Sequence, residues 1–280
     1  MPAEDSTEAT DLPPDDGNGL TIDSLTLAAG PRVLLRDFSL TIPRGQTHII
    51  FGPNGTGKST LLAAIMGLPP ARVLEGDLRW RGRSLLGLSV TERVALGLGI
   101  AFQRPPAVSG LKLSRLAELI AQRAAGDGGE GSYAITERIQ AVAEQADVTD
   151  LLDRDVNQGF SGGEMKRAET FQVALQSPRL VLLDEPESGV DVVNIERLGE
   201  MLRGLLQRDI NPARREVSSL IITHSGYILN YLNADLAHVL YDGRIICRGS
   251  PRDVFEHVRQ HGFRGCLECS TCDIEAPVRP

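Results

Sequence analysis

The chain has 280 residues, enough for one large domain or two modest ones, and its 41% hydrophobic and 24% charged content excludes wholesale disorder. No stretch approaches the roughly eighteen or more uncharged apolar residues that a membrane span requires. The net charge of −8 owes six units to Glu4, Asp5, Glu8, Asp11, Asp15 and Asp16, leaving the rest near −2, without the clustered basic excess of a nucleic-acid surface.

Residues 1–19 combine Pro, Gly, Asp and Glu and read as a disordered acidic lead, or a contact arm for a basic partner. They lack the basic start and apolar stretch of a signal peptide, so a cytoplasmic location is expected. From Leu20 onward, short apolar runs separated by turns predict strands at Leu20–Leu27, Phe38–Ile42 and Thr47–Phe51. A helix is expected from Lys58 to Met66, stopped by Gly67 before Pro69-Pro70. Further strands are expected at Glu75–Trp80 and Leu98–Phe102. From about Leu111 to Phe160 the spacing turns helical (Leu113, Leu116, Leu119, Ile120; Ile135, Ile139, Val142), broken by the glycine-rich loop 126–131. A helix from Gly162 to about Gln176, an apolar strand at Leu180–Leu183 and a helix at Val192–Leu206 follow. Strands at Leu220–Thr223, Ala237–Tyr241 and Arg244–Cys247 complete an α/β core, mostly parallel, with an inserted helical lobe.

Chemistry concentrates in three places. Gly52-Pro53-Asn54-Gly55-Thr56-Gly57-Lys58-Ser59-Thr60 follows an apolar strand and opens a helix, the context of a phosphate-binding loop. Small residues let N–H groups curl around phosphates, and the helix N-terminus adds a favourable partial charge. Lys58 can reach the β- and γ-phosphates, and the Ser59 hydroxyl can ligate Mg²⁺. The run Leu180–Leu183 delivers Asp184 and Glu185 to a strand end, where Asp184 suits Mg²⁺ and Glu185 suits a water-orienting base. Taken alone they would read as helix-capping acids; after a phosphate loop they do not. The third is Ser161-Gly162-Gly163-Glu164, a glycine-rich entry to a helix.

That third element resembles the signature of ATP-binding-cassette proteins, usually LSGGQ, with Phe160 and Glu164 in the outer positions. The resemblance implies an α/β cassette fold: a P-loop core sheet, an antiparallel β region and an inserted α-helical subdomain. The expected limits are 20–262 for the cassette, about 104–165 for the helical subdomain and 263–280 for a tail. It also implies a head-to-tail homodimer on ATP binding, each ATP lying between one chain's phosphate loop and the other's signature helix. Gln103 matches the Q-loop glutamine, an ATP and Mg²⁺ contact. Ser188-Gly189-Val190-Asp191 matches the D-loop, and His224 the switch histidine at the γ-phosphate. The aromatic that many cassettes stack on adenine is missing near Ala28-Ala29.

Local stretches are similar to the SufC-type ATPases of the SUF iron–sulfur cluster assembly system, across about residues 20–262. They are Gly99–Pro106, Gly159–Arg167 (with Glu164 and Lys166-Arg167), Glu187–Asp191, Thr223–Tyr231 and His238–Ile245. Pro186-Glu187 and the cysteine tail look more like the small archaeal-type members. The resemblance implies an ATPase that rearranges a SufB-like scaffold, with no nucleic acid and no membrane insertion. The alternative is the ATP-binding subunit of an ABC transporter. A repair or chromosome ATPase is disfavoured because no long heptad insertion separates Lys58 from Ser161.

Cys266, Cys269 and Cys272 have the Cys-x₂-Cys-x₂-Cys spacing that lets a short loop converge thiolates on Zn²⁺ or an Fe–S cluster. A fourth ligand could be His261, His257, Cys247, a second chain or the scaffold, with Cys247 better suited as a buried small hydrophobe.

Overall fold

The computed structural model describes residues 17–126 and 131–267. The acidic lead before residue 17, part of the glycine-rich loop, and Cys269 and Cys272 lie outside the described residues.

Two sheets organise the chain. The first is antiparallel, in the order β2-β1-β4-β5 (Arg32–Ile42, Leu20–Ala29, Ala71–Trp80, Arg83–Ser84). The second runs β10-β9-β3-β8-β7-β6 (Arg244–Gly249, Leu236–Tyr241, Thr47–Phe51, Ser218–Ile222, Leu180–Asp184, Leu98–Ala101). Its strands are parallel from β9 through β6, and only β10 pairs antiparallel. Strands β3, β7 and β8 are buried at every position, which is why Ile49–Phe51 and Leu180–Leu183 read as unbroken apolar runs, although β3 also buries the polar Thr47 and His48.

Alternate residues of these strands face opposite layers. Ile50, Leu182 and Leu220 pack with the antiparallel sheet and α1 (Lys58–Met66) in one core. Ile49, Val181 and Ile221 pack on the other side with Leu198 and Leu202 of α6 (Val192–Leu205) and Val254 of α7 (Pro251–Gly265). A third core forms the helical lobe from α3 (Leu113–Ala125), α4 (Ser132–Gln145) and α5 (Gly162–Gln176). Leu113, Ala117 and Ala121 recur every fourth residue and so share one helix face. Helix α5 serves two cores: Phe171 and Leu175 pack in the lobe, Val173 against the sheet.

Two helices were not expected. Helix α2 (Val90–Ala95) is fixed by a reciprocal capping box between Ser89 and Glu92. Its buried Arg93 donates to the carbonyls of Ala64 and Ile65 at 2.6 and 2.8 Å, capping the end of α1. Helix α7 runs past residue 262, the expected end of the cassette, and bends at Gly262. Among the described residues, no helix is long and apolar enough to cross a membrane.

Candidate functional site

The phosphate loop lies where expected, between β3 and α1. The first turn of α1 holds no acidic side chain, so its N-terminal N–H groups keep their positive end open to an anion. Lys58 Nζ folds over the loop and donates to the carbonyls of Gly52 (2.7 Å) and Pro53 (2.8 Å). Burial lowers its pKa, while Glu185 and Asp184 act against that shift. Thr56 Oγ1 donates back to Pro53 O at 3.0 Å. Asn54 and Gly55 are exposed at the tip, and Thr60 lies half-buried in the first helical turn.

The carboxylates of β7 meet this loop from the neighbouring side of the sheet. Ser59 Oγ donates to Asp184 Oδ1 at 3.0 Å. Burial raises the Asp184 pKa, moderated by the Ser59 hydrogen bond. Glu185 is bracketed: His224 Nδ1 lies 2.9 Å from Oε1, and Gln103 Nε2 donates to Oε2 at 2.5 Å. Gln103 therefore contacts the expected base here rather than the Ser59–Asp184 pair.

The signature segment caps α5. The Ser161 hydroxyl accepts from Glu164 N–H, and Glu164 Oε2 accepts from Ser161 N–H at 2.6 Å. That backbone hydrogen bond is the main cause of a lowered Glu164 pKa, with Arg154 and Arg167 adding to it. Arg154 also lies over the Phe160 ring, 4.6 Å from its centroid. A Cβ on Gly162 would sit 2.2 Å from the Gly189 carbonyl oxygen, so only glycine permits this approach of α5 to the D-loop. Asp191 accepts from both the backbone and side-chain nitrogens of Asn194, at 3.0 and 2.7 Å, and Arg167 donates to Asn194 Oδ1. Ser161, Gly162, Gly163, Glu164 and Asp191 thus form a second assembly on the same chain.

Comparison with known proteins matches the ABC transporter family model over residues 35–188. The chain belongs to the ABC transporter ATPase family. A probable ABC transporter ATP-binding protein of Streptococcus pyogenes serotype M3 is 35% identical over 254 residues, covering 89% of this chain and 95% of that one. A probable ATP-dependent transporter of Pyropia yezoensis is 33% identical over 249 residues, covering 87% and 96%. Vegetative protein 296 of Bacillus subtilis is 34% identical over 237 residues, covering 82% and 86%. Among solved structures, a nucleotide-free ATP-binding cassette from an ABC transporter superposes with a TM-score of 0.68 at 23% identity, covering 86% of this chain and 95% of that one. This ABC ATPase therefore binds and hydrolyses ATP with Mg²⁺. The Ser59 hydroxyl and Asp184 carboxylate fit that metal, being hard oxygen donors already 3.0 Å apart beside the phosphate loop.

The cysteine expectation fares differently. Cys266 follows α7 and is buried, with Cys247, in the apolar core of the sheet. It packs there as a small hydrophobe rather than standing in a tail loop. His257 and His261 stack with ring centroids 4.6 Å apart. Among the described residues, no group of three His, Cys, Asp or Glu side chains is placed to hold a metal ion. Zn²⁺ or an Fe–S cluster at Cys266 has no support from this geometry.

Sequence reasoning missed several participants. Lys166 is buried, and its Nζ donates to Phe102 O at 2.7 Å. Glu169, one turn on, accepts from Phe102 N–H at 2.5 Å. Burial pushes the Glu169 carboxyl up to about 7. The two side chains thus grip the residue immediately before Gln103. A cleft of about 490 Å³ beside the phosphate loop is lined by Arg32, Arg36, Asn54 and Tyr241. Tyr241 brings an aromatic side chain to the loop's flank. The signal for it was the strand end at Tyr241 before Asp242-Gly243, two residues beyond Val239, which pairs in parallel with Phe51 of β3.

Proposed function

We propose that this ABC ATPase is the energy-coupling subunit of an iron–sulfur cluster assembly complex, closing as a homodimer on ATP and reopening on hydrolysis to rearrange a SufB-like scaffold. In this reading Gly52–Thr60 hold the phosphates, and Ser59, Asp184 and Gln103 hold Mg²⁺, which neutralises phosphate charge when bound. Glu185 orients and deprotonates the attacking water, and His224 contacts the γ-phosphate. The second copy's Ser161, Gly162, Gly163 and Glu164 present α5's N-terminal dipole to the same phosphate, with Asp191 beside them.

The observation that carries the catalytic part is the bracketing of Glu185 between Gln103 and His224. A carboxylate held on both oxygens is aimed before substrate arrives, which is how a positioned base lowers a barrier. The partner would dock where the helical lobe meets the Q-loop, in a groove of about 310 Å³ lined by Phe102, Pro105, Pro106, Val108 and Leu116. Phe102 and Val108 expose 37% and 39% of their surface there, apolar area that a partner could cover. The scaffold assignment rests on the stretches Gly159–Arg167 and Glu187–Asp191 and their resemblance to the SUF ATPases.

A second reading makes the chain the ATP-binding subunit of an ABC transporter, and the names of its relatives in Streptococcus pyogenes and Pyropia yezoensis favour it. The same groove would then receive a membrane subunit. Affinity purification from native cells, with identification of the bound chains, separates the two. A SUF scaffold whose addition raises ATP turnover supports the first; an integral membrane partner replaces it with the second.

A further inference from the structure

Two residues beyond Glu185, the chain carries another buried carboxylate with no part in the roles above. Glu187 is only 7% exposed. Its Oε1 accepts from the hydroxyls of Thr223 and of Ser225, the latter at 2.8 Å. The Thr223 oxygen in turn accepts from the backbone N–H groups of Ser225 (3.2 Å) and Gly226 (3.0 Å). These contacts flank His224 on both sides in sequence, while His224 itself reaches Glu185 at 2.9 Å with a side chain 49% exposed. A half-exposed imidazole on a loop is not aimed by packing alone. Here its backbone is fixed from beneath by one carboxylate oxygen.

The other side of the loop is closed by apolar packing. Gly226 has φ +65°, and a Cβ there would lie 2.3 Å from the Phe255 ring of α7. Phe255 in turn stacks on Phe51, the last residue before the phosphate loop, with centroids 6.0 Å apart. Meanwhile Glu187 O accepts from Val190 N–H at 3.2 Å, so the same residue forms the turn of the D-loop. Burying a carboxylate is costly unless its hydrogen bonds repay the lost hydration. Glu187 Oε2 has no hydrogen-bond partner among the described residues, so both accepted side-chain bonds converge on Oε1.

We propose that Glu187 is a positioning residue that sets His224 against Glu185 by gripping the hydroxyls on either side of it, and so ties the D-loop to the switch histidine. The inference rests on the assignment of Glu185 and His224 to hydrolysis. Motion of Ser188–Asp191 across a dimer interface would then reach His224 through one side chain.

The test compares full-length E187A, E187Q, T223V, H224A and the E187A/H224A double variant for ATP turnover and KM. E187A and T223V are expected to lower kcat about tenfold with KM for ATP within about twofold, the pattern of a lost transition-state interaction. E187Q should restore most of the activity, because its carbonyl oxygen still accepts both hydroxyls. The double variant should be no slower than H224A, since Glu187 acts through that histidine. Multiplying defects in the double variant, or E187Q as slow as E187A, would overturn the proposal. A slow H224A with a normal E187A would overturn it alone. A normal H224A would overturn both it and the switch assignment.

Discussion

Beneath the phosphate loop, β3 and β9 bury a histidine pair whose titration should govern stability in mild acid. His48 Nε2 contacts Gln46 Oε1 at 2.8 Å, and its Nδ1 meets His238 Nε2 at 3.1 Å. An amide oxygen only accepts, so His48 Nε2 carries the proton and His48 Nδ1 accepts from His238. His238 Nδ1 then has no proton and no partner among the described residues. A further proton would be buried without an acceptor or would face an N–H. Burial accordingly lowers the His48 pKa to about 4, with Asp235 opposing, and holds His238 well below its ordinary value. The unfolded chain takes up protons first, near pH 6.5, so stability is present above that value and is lost as pH falls toward 4. Linkage gives His48 alone about 2 kcal/mol lost between pH 7.5 and pH 5, and about 3 kcal/mol well below pH 4. Glu169 works in the opposite sense: its carboxyl, pushed up to about 7, is destabilising when ionised and is relieved on acidification. The wild-type curve alone is therefore flattened, and the difference between wild type and H48Q isolates the histidine. Urea unfolding can be followed by Trp80, the sole tryptophan, which is buried with its indole N–H donating to Leu96 O at 3.1 Å. Wild type should lose about 2 kcal/mol more than H48Q between pH 7.5 and pH 5. Two curves parallel within about 0.5 kcal/mol would refute the reasoning.

E185Q should cut phosphate release at least about 100-fold while ATP still binds and ATP-dependent dimers persist on size exclusion. G162A drives a methyl into Gly189 O, so it should cost about 1–3 kcal/mol of stability and slow turnover by displacing the D-loop, both readable by thermal melting and a phosphate assay. K166M leaves Phe102 O without its donor and Glu169 without its cation, and should cost about 1–3 kcal/mol in urea unfolding; an unchanged midpoint would show that these contacts add nothing to stability.

What could be read without coordinates followed the physical strength of each local signal. Strands β3 and β7 are buried on both faces and therefore carry the short continuous apolar runs Ile49–Phe51 and Leu180–Leu183, and the phosphate loop between β3 and α1 has a nearly unique composition. Strand β8 begins earlier than expected because Ser218 and Ser219 look like a turn. Both are buried, with hydroxyls satisfied by Pro43 O at 3.1 Å and Thr47 Oγ1 at 2.8 Å. Helix α7 escaped because its few apolar residues, Val254, Phe255 and Val258, are outnumbered by charged and polar ones and the run is broken at Gly262, although they do pack on the core. The Ser89–Glu92 capping box of α2 was in plain view, but six residues give no periodicity to confirm it.

The side-chain couplings were invisible for a different reason: they join residues far apart in sequence through backbone groups that carry no sequence signature. Lys166 and Glu169 hold both polar groups of Phe102, 64 and 67 residues away. Phe102 precedes Gln103, which reaches Glu185. The N-terminus of α5, facing a second copy's nucleotide in the dimer proposed above, would in that arrangement be joined to the base of its own site by two hydrogen bonds and one peptide link. Because α5 packs in the lobe through Phe171 and on the sheet through Val173, a shift of the lobe cannot leave Phe102 behind without breaking buried bonds. A partner seated in the Phe102–Val108 groove would press on the same residue from outside. Partner docking, signature position and the aim of Glu185 would then be different readouts of where Phe102 sits, which makes α5 rather than the phosphate loop the element through which a partner should set the ATPase rate.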